Sequence, residues 1–395
     1  NISDLKPGMY VEEVLNQSGK LKVKSRGLVR TKQAIAALAR QGVESVLVDL
    51  DKSRVQEEQA SEQAQTQAAD KSPEQVVRKK TDINLELRKA NKLYTEAKNL
   101  QFQAFDNMKA GKPIDTQAMK DVADGFIDSV FRNSDALACM TRMREKDEYL
   151  MEHSVNVAII MTIFAKHLKM DRDIIHDLAT GALLHDLGKI GVPDPVLNKP
   201  GRLSDEEMET MRSHVTLGYN VLKKSGDLSP ISIEIVGDHH ERLDGTGYPN
   251  GKQGEQLSQY ARMIAIVDTY DAITASRCYQ NARSPVTAFK ILRSESGTGY
   301  DGELVAEFIK CMGLHPVGTL VRMKSNKLGI VTESNYLNPI SPVVHLFYSI
   351  NNMSYIEPKI VNLADKNVKD EIDRSIKPEE FKIDLMKYFK EVFLG

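Results

Sequence analysis

Residues 181–194 read GALLHDLGKIGVPD, an apolar helical run that ends in a histidine followed at once by an aspartate. Leu178, Ala182, Leu183 and Leu184 mark a face that belongs in a core. His185 and Asp186 come next, and Gly188 is expected to stop the helix in a left-handed conformation. A buried carboxylate is costly unless it is paired or ligates a metal. The aspartate must therefore be solvated, paired or held by a cation, and the rest of the chain decides which.

Three further helices are expected downstream. PGRLSDEEMETMRSHVTLGYNVLKKSG (200–226) opens with a Ser204/Glu207 capping box and puts Met211, His214, Val215, Gly218 and Leu222 on one face. A second helix starts at Ser229–Pro230 and runs to His240, with Ile235, Val236, His239 and His240 sharing a face. A third begins at Ser258 and carries Asp268 in mid-run. With His153 these give seven residues of interest, His153, His185, Asp186, His214, His239, His240 and Asp268, each expected on a helix. One histidine on an apolar face is more often a core residue than a ligand; four such features on successive helices are not so easily dismissed. Imidazole and carboxylate ligate zinc, iron or manganese, and a helical bundle can aim them at one point. Seven donors exceed the needs of one tetrahedral zinc. They suit two octahedral metals that share a bridging carboxylate, with Asp186 the candidate bridge. His167, His176, His315 and His345 fall outside the pattern, and Asp271, one turn beyond Asp268, is either support for a ligand or a solvated charge.

The bulk properties narrow the class. A chain of 395 residues suggests two or three domains. Lys+Arg 53 against Asp+Glu 55 gives no broad nucleic-acid surface, while a few local cations can still hold a small anionic ligand. Cys139, Cys278 and Cys311 are odd in number and lack a C-x-x-C spacing, which argues against a disulfide framework and fits a cytoplasmic location. No run approaches a transmembrane length and no secretory signal is visible.

The expected fold is mainly α. Residues 1–51 read as a small mixed α/β unit, with strands in GMYVEEVL (8–15) and GVESVLVDL (42–50) around a helix over 31–42. Residues 52–80 have the Gln, Glu, Ala and Lys bias of a linker or solvated segment. Charged helices follow over 81–139, with Leu85, Leu87, Leu93, Leu100 and Phe105 as their apolar side, and these are candidates for pairing two chains in a homodimer. Residues 140–314 form an almost wholly helical domain, and 315–395 a β-rich extension with a final helix over 377–393.

HDLGK (185–189) and HHERLDGTGYP (239–249), with HS-x-N-x-A before them, LNKPG-x-L between them and D-x-YDA after, occur in order, and the stretch from about 147 to 314 resembles the HD-GYP family of bacterial cyclic di-GMP phosphodiesterases. Residues 1 to about 130 resemble a small N-terminal domain of unknown function often joined to it, and the tail a short β extension of some members. The resemblance implies an HD-type helical bundle whose seven histidines and aspartates hold two divalent metal ions, iron or manganese by preference, with zinc or nickel accommodated. It implies that Lys189 contacts the scissile phosphate, that Arg277 binds phosphate and that Asp147 reaches a guanine base. The loop of Gly247, Tyr248 and Pro249 would lie beside the site, and this loop or the N-terminal unit would receive protein partners. The implied reaction is hydrolysis of cyclic di-GMP, or of 3′,3′-cyclic GMP-AMP, to a linear dinucleotide in second-messenger signalling. The alternative is a catalytically weak cyclic-dinucleotide receptor that signals through the N-terminal unit, which retention of all seven ligands disfavours. Two positions depart from the family pattern: Leu243 replaces a usual tryptophan, and Gln280 stands where many members have a lysine.

Overall fold

The computed structural model describes residues 81–143, 149–275, 282–335 and 338–381, with 383, 384 and 388, and, before these, residues 2, 5, 9–18, 27–29, 35, 38–39 and 43–49. Most of the helix expected over 31–42, the segment 52–80, Asp147, Arg277, Gln280 and most of the final helix lie outside the described residues. The chain divides into two compact units, residues 1–77 and 78–395.

The first unit carries a three-stranded antiparallel sheet in the order β2-β1-β3, from β1 (Tyr10–Gln17), β2 (Gly27–Leu28) and β3 (Val43–Asp49). Tyr10 pairs with Leu28 on one side and with Asp49 on the other. Leu5, Val11 and Val29 form its small core, with Met9, Ile35, Leu38, Val46 and Val48 packed against them.

The second unit opens with two long helices, α1 (Ile83–Lys109) and α2 (Thr116–Met140). Asp82 caps α1 by accepting from the amides of Asn84 and Leu85. The buried stripe of α1 is Leu87, Ala90, Tyr94, Ala97, Gln101, Ala104 and Phe105, a 3–4 spacing rich in alanine. Of the expected apolar side, Leu87 and Phe105 are buried and Leu93 and Leu100 pack against the core, whereas Leu85 is exposed, which corrects the expectation at that position. Alanine admits the close approach that these helices make. The bundle continues with α3 (Tyr149–His167), α4 (Arg172–Leu184), a 3-10 turn (Leu187–Gly191), α5 (Asp205–Ser225) and α6 (Pro230–Asp238). It ends with α7 (Gln259–Thr274), α8 (Pro285–Ser294) and α9 (Gly302–Met312). Each start is written locally: the Ser204/Glu207 box opens α5, Ser229 and Pro230 open α6, Ser258 opens α7, and Gly226 closes α5 at φ 73°. Helices α3 and α7 are buried on nearly every side, as residues 155–161 and 263–267 show, and form the axis of the core.

Beyond α9 lies a five-stranded antiparallel sheet, β7-β6-β5-β4-β8, built from β4 (Leu320–Met323), β5 (Lys327–Glu333), β6 (Val343–Ser349), β7 (Ser354–Asn362) and β8 (Ile372–Ser375). Val321, Leu328, Ile330, Val344 and Phe347 belong to the same apolar core as the helices, and the Ser334 hydroxyl donates to Asp135 of α2 at 2.6 Å. No described helix is long and apolar enough to cross a membrane.

Candidate metal centre

Four of the seven residues sit where helices stop rather than within them. α4 ends at Leu184, so His185 is its C-cap and Asp186 leads into the 3-10 turn. α6 ends at Asp238, so His239 is its C-cap and His240 follows. His153, His214 and Asp268 lie inside α3, α5 and α7. Two helix C-termini thus end at one site, and their partial negative charge favours a cation there. Gly188 is not left-handed, contrary to the sequence expectation. It is a glycine because a Cβ there would lie 1.9 Å from the His214 carbonyl oxygen and 2.6 Å from the Gly218 amide nitrogen. The turn after the His-Asp pair is pressed directly onto the backbone of α5.

The side chains converge as two groups, His153, His185 and Asp268, and Asp186, His214, His239 and His240, with the donor atoms of each group within 4.8 Å of one another. Asp186 faces both. Its Oδ2 is 3.5 Å from the Nε2 of His153 and 3.5 Å from that of His185, while its Oδ1 is 3.4 Å from the Nε2 of His214 and 3.9 Å from that of His239. Asp268 approaches His153 Nε2 at 2.9 Å and His240 Nδ1 at 3.6 Å through its two oxygens. Lys189 is ion-paired with Asp186.

The ring orientations are fixed from behind. Nδ1 of His185 donates to the carbonyl of Ala182 at 2.7 Å, that of His214 to Met211 at 2.7 Å, and that of His239 to Val236 at 2.9 Å. A carbonyl only accepts, so these bonds put the proton on Nδ1 and turn Nε2 to the site. Burial keeps His185 below the ordinary histidine range; burial, then the neighbouring imidazoles, holds His239 well below it. Burial first, with His214 beside it, pulls His240 down to about 3. Burial alone would raise the Asp186 carboxyl, but Lys189 and the histidines outweigh it and hold the group ionised. The result is a fully buried carboxylate beside His185, His239 and His240, whose charged forms burial disfavours, with His185 Nε2 and Asp186 Oδ1 lacking a hydrogen-bond partner among the described residues. A bare lone pair and a bare carboxylate oxygen facing one space are what a bound cation satisfies. The set fits divalent metal.

Residues 134–304 match the HD domain model, and residues 1–119 match a domain of unknown function (DUF3391). The chain is 33% identical over 378 residues to the cyclic di-GMP phosphodiesterase PA4108 of Pseudomonas aeruginosa, covering 94% of this chain and 90% of that protein. It is 37% identical over 174 residues to the 3'3'-cGAMP-specific phosphodiesterase 3 of Vibrio cholerae, covering 43% of this chain and 37% of that one. Among solved structures it is similar to Bd1817, a HDG"Y"P protein from Bdellovibrio bacteriovorus, with TM-score 0.48, 17% identity, 77% of this chain and 94% of that chain covered. The chain belongs to the HD-GYP family.

The loop that names the family lies against the cluster. Tyr248 packs on His240 with ring centres 4.6 Å apart, and its amide donates to the His240 carbonyl at 3.1 Å. Gly247 is required by contact, because a Cβ there would meet the Arg242 amide nitrogen at 2.4 Å. Buried Glu241 ties the loop down, accepting from the amides of Asn250 at 2.7 Å and Lys252 at 3.0 Å. Sequence reasoning did not single out Glu241, and the signal available was an acidic residue directly after two candidate ligands. Asp271 is buried and 2.8 Å from His153 Nδ1, so it orients a ring rather than meeting solvent. Burial opposes a charge on His153, but Asp268 and Asp271 on its two nitrogens outweigh it and raise that imidazole. Leu243, in place of a usual tryptophan, donates its backbone amide to the Gly299 carbonyl at 3.2 Å.

Proposed function

We propose that this chain is a metal-dependent phosphodiesterase that hydrolyses cyclic di-GMP to a linear dinucleotide. One observation carries the reading: each carboxylate oxygen of Asp186 faces its own pair of histidines, 3.4 to 3.9 Å away. His153, His185 and Asp268 would hold one divalent ion and His214, His239 and His240 a second, with Asp186 available to both. Nitrogen and oxygen donors without thiolate suit iron or manganese as well as zinc, and we read the pair as iron or manganese. Bound there, the ions supply Lewis acidity and a water ionised near neutral pH.

The chain's own residues do the remainder. Asp271 and three backbone carbonyls aim the histidine rings. Tyr248 walls the cluster beside His240. Lys189, 14% exposed, can turn from Asp186 to a non-bridging oxygen of the scissile phosphate and stabilise charge that grows there in the transition state. Arg277 and Asp147 complete the proposal as phosphate and guanine contacts, on the family resemblance alone. Cyclic di-GMP is taken as the first substrate because the relative named for it aligns along nearly the whole chain, whereas the relative named for 3'3'-cGAMP aligns along less than half. Protein reconstituted with iron or manganese without oxygen is the test: it should carry two metals per chain and release the linear dinucleotide. Full occupancy without turnover would refute the enzymatic reading and leave a receptor.

A further inference from the structure

Arg212 lies two residues before His214 on α5, with an exposed side chain. Its guanidinium carbon is 5.1 Å from the centre of the Tyr248 ring. The same ring packs on His240 at 4.6 Å and meets His214 near edge-on at 6.4 Å. One aromatic ring therefore links the cation to two of the residues that would hold metal. Among the described residues, Lys252 pairs with Asp238 at 2.6 Å and Arg242 with Glu295 at 2.5 Å, while Lys189, paired with Asp186, is the cation assigned above to the scissile phosphate. Arg212 has no ion pair among the described residues.

A cyclic dinucleotide carries two phosphates, and one is cleaved at a time. The scissile phosphate belongs to the carboxylate-histidine cluster and Lys189. The other lies outside that cluster and needs its own counter-charge. A planar guanidinium can bind a phosphate through two parallel hydrogen bonds. Resting on an aromatic ring, it loses less freedom on doing so than a free side chain would. We propose that Arg212, steadied by Tyr248, binds the non-scissile phosphate and so favours cyclic dinucleotides over ligands with a single phosphate. This rests on the phosphodiesterase reading.

The test is calorimetry on metal-reconstituted protein in a Lys189→Ala background, where turnover is slow enough to read binding. Arg212→Ala should weaken cyclic di-GMP by about tenfold or more, the worth of one charge-assisted contact, and weaken GMP, with one phosphate, by less than about twofold. Arg212→Lys should recover part of the loss. Equal losses for the two ligands, or none, would overturn the proposal. Adding Arg212→Ala to Tyr248→Leu should still weaken cyclic di-GMP; no further loss would mean that Arg212 acts only by holding the ring, which also overturns it. The two readings fail separately. Normal hydrolysis by the parent with no effect of Arg212→Ala removes this assignment alone. Arg212-dependent binding by a fully metallated parent that does not hydrolyse removes the enzymatic reading alone.

Discussion

Gly188→Ala offers a demanding test, because the structure sets both its cost and its control. A Cβ at 188 would sit 1.9 Å from the His214 carbonyl oxygen, and ordinary contact begins near 3.4 Å. The 3-10 turn and α5 must therefore separate by about 1.5 Å, and neither atom is the end of a flexible side chain. The turn follows Asp186, and α5 carries His214, whose Nε2 is 3.4 Å from Asp186 Oδ1. Metal-ligand distances tolerate about 0.2 Å, so the opening exceeds that tolerance several-fold. The expected outcome is a folded protein that loses one of two metals per chain and nearly all hydrolysis, with an overpacking cost of about 1–3 kcal/mol. Gly191→Ala is the matched control. It lies on the same turn against the same helix, but its Cβ would meet only the Leu217 side chain, with Cδ1 at 2.8 Å and Cγ at 3.8 Å, and that side chain can rotate away. Metal content by mass spectrometry and thermal melting on both variants decide the matter. If Gly188→Ala kept two metals and the wild-type melting temperature, or if Gly191→Ala were equally damaging, the argument from backbone contact would be wrong.

Two further outcomes follow from the cluster. Lys189→Ala should keep both metals and lose about a hundredfold in kcat, the typical worth of one stabiliser of transition-state charge; an unchanged kcat with a raised KM would assign Lys189 to binding alone. Asp271→Asn should weaken metal affinity by about 10–100-fold without unfolding the protein, and equal affinities by competition with a chelator would show that Asp271 does not orient His153.

Much of this was written locally in the chain. Ser204 with Glu207, Ser229 with Pro230, Ser258 and Gly226 place their helix ends because a cap is a contact between residues close in sequence. The seven ligand candidates were legible as residue types on successive apolar helices, and the structure brings them together in two groups. What depended on distant contacts was not legible. Asp271 could not be assigned because His153 is 118 residues away. The stripe of α1 was legible only in part: Leu87 and Phe105 are buried and Leu93 and Leu100 pack against the core, but Leu85 is exposed, and the buried alanines Ala90, Ala97 and Ala104 do not stand out in a sequence. The same helix reaches the site: the Gln101 amide donates to the Leu183 carbonyl at 2.6 Å, and Lys98 pairs with buried Glu152, next to His153, at 3.3 Å. Nothing in the pattern of α1 announces either bond. A β-containing tail was legible, but β7 and β8 were not singled out, and the sheet's share in the helical core depends on non-local packing.

The histidine-aspartate pair at the end of an apolar helix has a structural logic of its own. A helix leaves its last carbonyls without partners, and burying them is costly. An imidazole just past the last turn can meet one of them with Nδ1, as His185 does for Ala182 and His239 for Val236. That bond satisfies the carbonyl, fixes the tautomer and turns Nε2 away from the helix. The apolar run before the pair buries the ring, which disfavours its charged form and keeps the lone pair available. Asp186, one residue later, lies past the helical hydrogen bonds and among the freed nitrogens, where its two oxygens face two different pairs. A second aspartate, on α7, brings another negative charge to the same space. Buried Asp186 and Asp268 sit among imidazoles of which His185, His239 and His240 are kept uncharged by burial; Lys189 pairs with Asp186, and a bound cation would bring further positive charge to both carboxylates. The apolar residues before His185 and the charge on Asp186 are thus parts of one arrangement: the first disfavours the charged form of the ring, and the second makes the space it faces favourable for a cation.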